Sequence, residues 1–115
     1  MAGTLVNWKI QIRKGYLELC ILLLIQRADR LYGFDLLERL KDADLDVKEG
    51  TLYPLLSRMT VDGVLQATWE TENVKGHPRK YYSLTKEGGK LLDGMKAEFT
   101  QMVAIFESVR KKTKD

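Results

Sequence analysis

The chain has one cysteine, one histidine and two prolines among 115 residues, and each scarcity removes a class of chemistry. With Cys20 alone, no disulfide can close within the chain and no multi-thiolate zinc site can form. Cys20 lies inside the apolar run Tyr16 to Ile25 and reads as a buried core thiol. With His77 alone, a nucleophile-histidine pair would have to be built around that one side chain, and no fitting partner pattern is present. Neither GxGxxG nor GxxxxGK followed by Ser or Thr occurs, so the phosphate-cradling loops of nucleotide enzymes are missing too. No cofactor is called for, and an enzyme is not expected. Long apolar stretches are also lacking. The run from Tyr16 to Ile25 is interrupted by Glu18 and falls well short of the ~20 residues that cross a bilayer. Lys9, Arg13 and Lys14 stand where a signal peptide would be apolar, which leaves a cytoplasmic protein as the expectation.

What remains is a chain of 44% hydrophobic and 30% charged residues, enough for one domain with a core. The net charge of +3 is compatible with a nucleic-acid partner. Residues 44–84 nevertheless carry five basic and six acidic side chains, so a DNA surface there must rest on the placement of a few cations.

Leu5, Trp8, Ile12, Tyr16, Leu19 and Leu23 recur at three and four, which predicts a helix over 5–27. Gly15 disfavours that helix by roughly 1 kcal/mol relative to Ala, and a break or bend is expected near Lys14-Gly15. Arg27 to Leu31 reads as a short charged linker. Phe34, Leu37 and Leu40 predict a second helix over 33–43. Asp46 with Glu49 three residues on has the spacing of a capping box, and a third helix should follow. Pro54 is best tolerated in a first turn, so a start at Thr51 accommodates it and a start at Lys48 does not. Asp62-Gly63 closes that helix.

On the third helix Leu52, Leu55, Leu56 and Met59 share one face and form core. The opposite face carries Gly50, Pro54, Ser57 and Val61, flanked by Tyr53 and Arg58, and is small enough to approach another molecule closely. Residues 64–70 alternate, with Leu65, Ala67 and Trp69 on one side, and residues 80–84 do so more weakly. Between them, Thr71 to Arg79 is polar, contains Gly76 and Pro78, and makes a hairpin with a long basic-tipped loop. Trp8 and Trp69 read as core or dimer contacts. Thr85 offers an N-cap for a last helix over 86–112.

In that last helix Leu92, Met95, Phe99, Met102, Phe106 and Val109 are spaced 3, 4, 3, 4, 3, a heptad seam. A lone amphipathic helix beyond the core needs a partner, and a second copy of the chain is the simplest. The fold class expected is mainly α with a small two-stranded antiparallel hairpin: a winged helix-turn-helix over 1–84 and a dimerisation helix over 85–115.

Four segments in order resemble the PadR family of bacterial transcriptional regulators: Tyr32-Gly33-Phe34, Gly50 to Leu56, Asp62 to Leu65, and Arg79 to Gly88. The resemblance covers residues 13 to about 90, and the single last helix is similar to the family's smaller subclass. It implies a homodimeric repressor of a pseudo-palindromic operator in double-stranded DNA. It places Thr51, Tyr53 and Ser57 of the third helix and Lys75, Arg79 and Lys80 of the wing on that DNA. Hydroxyls and ammonium groups there would hold phosphates, leaving Arg58 or Lys48 to read base edges. Phe99 stands where the drug-sensing members place a pore tryptophan, so the resemblance leaves two readings of it: a small aromatic effector held by Phe99 with Trp8 nearby, or ordinary packing in the seam. A second reading keeps the winged helix but gives it a protein partner and no DNA.

Overall fold

The computed structural model describes residues 2–71 and 78–112. Helix α1 spans Ala2–Ala28, strand β1 Leu31–Tyr32, α2 Gly33–Asp42, α3 Glu49–Val61, β2 Leu65–Glu70, β3 Arg79–Leu84 and α4 Lys86–Lys112. This is the winged helix-turn-helix with a long last helix, mainly α, with one difference in the sheet. It has three antiparallel strands in the order β1-β3-β2. Leu31, read from sequence as the end of a linker, and Tyr32, beside the start of the second helix, pair with Tyr82 and Tyr81. A two-residue strand is too short to show alternation. It forms because Asp29 takes a left-handed φ of 69° and turns the chain sharply out of α1.

Helix α1 runs through Gly15 without the expected break. Gly15 is exposed, with open space where a side chain would stand, and the packing of Leu17 to Ile25 outweighs a penalty of about 1 kcal/mol. The expected capping box at Asp46 is also absent. Lys48 is the N-cap of α3, extended at φ −85°, and its carbonyl accepts from the Thr51 and Leu52 amides at 2.9 and 3.0 Å. The Asp46 carbonyl is occupied by the Arg13 guanidinium, which donates to it at 2.8 Å, and Val47 packs towards the core. The helix therefore starts two residues before Thr51, and Pro54 lies within it. Proline withholds one N–H from the ladder, on a face that water reaches.

One core unites the described elements. Ile21, Leu22 and Ile25 of α1 meet Leu36 and Leu40 of α2, Leu52 and Leu56 of α3, Leu65 of β2 and Leu92 of α4, all essentially inaccessible to solvent. Thr85 alone separates β3 from α4. Its hydroxyl donates to the Gly63 carbonyl at 2.6 Å and accepts from the Gly88 amide at 2.9 Å, the N-cap expected of it. Gly63 turns the chain with φ +80°, and a Cβ on Gly88 would collide with the Val64 carbonyl.

Beyond this core the chain extends as two arms. The radius of gyration is 17.0 Å, against about 13 Å for a compact chain of this length. The arms are the first half of α1, where Leu5, Trp8 and Ile12 are more than half exposed, and the second half of α4, where Met102, Phe106 and Val109 are likewise.

Candidate nucleic-acid interface

Helix α3 presents its exposed face over its whole length because its buried residues Leu52, Leu56 and Met59 fall on one stripe. At about 3.6 residues per turn, the remaining residues divide into two flanks around Pro54. Tyr53 and Ser57 lie on the flank that faces the wing, while Thr51 and Arg58 lie on the other.

Tyr53 and Ser57 line an open cleft of about 700 Å³ between α3 and the β2-β3 hairpin, together with Trp69, Pro78, Arg79 and Lys80 of the wing and Gly33 and Phe34 of α2. Arg79 stacks over the Tyr32 ring at 4.7 Å, and the Lys80 ammonium stands 5.6 Å from the Trp69 ring centre. Both cations are thereby held at the cleft, Arg79 exposed and Lys80 partly buried. The Tyr53 ring occupies the space above Gly33, where a Cβ would fall 2.7 Å from the hydroxyl and 2.8 Å from Cζ. Glycine at this position leaves room for the ring to lie over α2. Burial, followed by the nearby Glu49 and Tyr32, raises the Tyr53 hydroxyl above its ordinary value of 10.0, so it stays protonated and able to donate.

Of the residues nominated from sequence, the structure brings Tyr53, Ser57, Arg79 and Lys80 together in this cleft. Thr51 and Lys48 are exposed near the start of α3, outside it. Arg58, nominated for base readout, is exposed but forms an ion pair with Glu18 of α1. Its guanidinium is thereby tied to α1 at the protein surface. Lys75 and His77 lie outside the described residues. The cleft also includes six residues that sequence reasoning did not nominate: Tyr32, Gly33, Phe34, Trp69, Pro78 and Tyr82. Alternation in β2 put Trp69 on the same side as buried Leu65, yet at the far end of the strand that side emerges into the cleft and Trp69 is 61% exposed.

A second concavity, about 980 Å³, lies between the arms and is lined by Trp8, Ile12, Tyr16, Phe99, Met102 and Phe106 among others. Tyr16 and Phe99 meet across it with ring centres 5.6 Å apart. Of the heptad seam, Leu92 is fully buried by its own chain and Met95 is partly so. Leu92 thus has no surface to offer a partner, because the first turns of α4 close the protomer's core. Phe99, Met102, Phe106 and Val109 remain accessible.

A sequence profile of the transcriptional regulator PadR-like family matches residues 21–93, well over half of the chain. The chain belongs to the PadR-like family. Among solved structures, a PadR-like transcription factor from Bacteroides fragilis is 42% identical with a TM-score of 0.76, over 90% of this chain and 98% of that one. A PadR family transcriptional regulator from Eggerthella lenta superposes with a TM-score of 0.81 at 27% identity, over 94% and 93% of the two chains. A PadR-like transcriptional regulator from Bacillus cereus is 32% identical, with a TM-score of 0.74 over 86% and 95%. No curated protein matches the chain. As a PadR-like protein it is a DNA-binding regulator of transcription. Among the described residues no helix is long and apolar enough to cross a membrane, and no group of three or more His, Cys, Asp or Glu stands together as a metal site.

Proposed function

We propose that this PadR-like protein is a homodimeric repressor, released from its operator by a small aromatic molecule. Residues 1–84 form the DNA-binding unit and 85–115 the dimerisation helix, whose first turns also close the core. The observation that carries the dimer is the pair of apolar arms: a soluble protomer does not leave Leu5, Trp8, Ile12, Met102, Phe106 and Val109 in water when a two-fold copy can cover them. The accessible part of the seam begins at Phe99.

On each protomer Tyr53 and Ser57 donate from their hydroxyls to phosphates, with Arg79, Lys80 and the loop cation Lys75 neutralising the strand across the wing. Thr51 and Lys48 contact the other strand edge near the start of α3. Arg58 exchanges Glu18 for a guanine or a phosphate when DNA arrives. Two such heads call for half-sites roughly 34 Å apart on a pseudo-palindrome, reached in the cytoplasm where the operator lies. The concavity between the arms is of the size and character of a site for a planar aromatic effector, with Phe99 and Trp8 as its rings.

The test is fluorescence anisotropy of a labelled 30-base-pair random duplex against protein across a salt series. Binding that weakens with a slope of about 0.9 per neutralised phosphate supports the reading, and a slope near zero refutes it. Sedimentation at micromolar concentration must show twice the 13.2 kDa of one chain. Thermal-shift screening with planar aromatics tests the effector, since a ligand of the native state raises its melting temperature.

A further inference from the structure

The wing cations and the hydroxyls of α3 account for the polar side of the cleft and leave its aromatic side without a task. Trp69 is 61% exposed and Phe34 52%, and they line the same cleft as the half-exposed Tyr53. Isolated exposed aromatics are ordinary, but three around one concavity beside two cations form a patch with a chemistry of its own. Trp69 emerges at the end of a strand face whose other members, Leu65 and Ala67, point into the protein, so its indole is oriented by the sheet and not by a flexible loop. It pairs across the strands with Lys80, whose ammonium sits over the ring. Phe34 lies in the first turn of α2 and stacks on Tyr32, at 6.3 Å between ring centres, so it too has a fixed seat.

A duplex gripped by α3 on one side and the wing on the other must carry one sugar-phosphate strand across the cleft between them. That strand alternates an anionic phosphate with an apolar deoxyribose. The cleft alternates likewise, cations beside aromatic faces. We propose that Trp69 and Phe34 form an apolar seat for the deoxyribose of the strand that crosses from recognition helix to wing, adding affinity that does not depend on salt. The proposal rests on the DNA-binding reading above and extends it to two residues that release no counterions. The occupant is double-stranded DNA because the seat is continuous with the groups that hold the phosphates. A small aromatic ligand or a protein segment in the same place would compete with the duplex.

The two contributions separate in a salt titration of full-length protein with the labelled random duplex. Trp69→Ala should weaken binding about tenfold, as one lost aromatic contact does, while leaving the slope of log affinity against log salt at the parent value. Arg79→Ala should lower that slope by about 0.9. Trp69→Phe, which keeps an aromatic face, should recover most of the loss. Because Trp69 is mainly exposed, its truncation opens no core cavity, and an unchanged melting temperature verifies the fold. Trp69→Ala that binds like the parent overturns the seat and leaves the DNA-binding reading standing. A loss accompanied by a lower slope also overturns it, since the indole would then act by placing Lys80. A parent protein that ignores duplex at low salt overturns both readings together.

Discussion

Substituting Gly33 with alanine tests the contact on which the cleft is built. The new methyl carbon would fall within 2.8 Å of Tyr53 ring atoms, so the ring has to leave its place. Overpacking of this kind destabilises by about 1–3 kcal/mol. The displaced group is the far end of a side chain that is 38% exposed and can swing into water, which puts the loss near the lower limit, at about 1 kcal/mol. Gly33 opens α2 and has an ordinary negative φ, so without the ring an alanine there should stabilise by about 0.4–1 kcal/mol through the unfolded state. The sign of Gly33→Ala should therefore reverse between the parent and a Tyr53→Ala background. Urea denaturation of the four proteins at one fixed concentration measures it, fixed because association contributes to apparent stability. The coupling should be of order 1.5 kcal/mol, and destabilisation of the same size in both backgrounds would refute the account of the Gly33-Tyr53 contact. Anisotropy supplies a second readout: the parent carrying Gly33→Ala should lose DNA affinity as Tyr53→Ala does.

Gly88→Ala should be harsher, because its Cβ would meet the Val64 backbone carbonyl, which cannot rotate away; a loss well above that of Gly33→Ala is expected in the same denaturation assay. Leu92→Ala should lower stability by about 2–5 kcal/mol through a core cavity, whereas Phe106→Glu should keep the helix content and shift sedimentation to the single chain. Stability should be level from neutral pH to about 9 and then fall. Burial raises the Cys20 thiol above its ordinary 9.0, and burial also raises the Tyr53 and Tyr82 hydroxyls above 10.0. The folded state thus holds these protons more tightly than the unfolded one, a stabilisation present below the unfolded values and lost as pH rises through the folded ones. Thermal melts from pH 7 to 11 follow it, and a decline beginning near pH 7 would contradict it.

Helix order, the buried face of α3 and the hairpin were legible because each repeats over at least two turns or five residues, long enough for periodicity to outweigh local exceptions. Positions decided by one tertiary contact were not. Asp46 has the composition of a cap, but its carbonyl accepts from Arg13, distant in sequence, and the helix is capped at Lys48 instead. Gly15 looked like a breaker because propensity is local, while the burial that holds α1 straight comes from other elements. The heptad arithmetic treated Leu92 and Phe106 alike, since spacing does not say where the protomer's core ends. Neighbours from other elements also decide the surroundings of Arg58 and Trp69. The cation has a neighbour in Glu18, and the aromatic lacks the cover its strand face implied.

The unbroken course of α1 has a mechanical consequence. Its first half lies among the exposed apolar arms and its second half is packed into the core against α2, α4 and β3, with the Glu18-Arg58 pair tying it to α3. A hinge at Gly15 would have let one end move while the other stayed still. A stiff rod cannot do so: tilting it by about ten degrees at the arm carries a point ~20 Å along its axis sideways by ~3–4 Å. A push on the arm is therefore carried into the core as a movement of the whole rod, with no joint at Gly15 to absorb it.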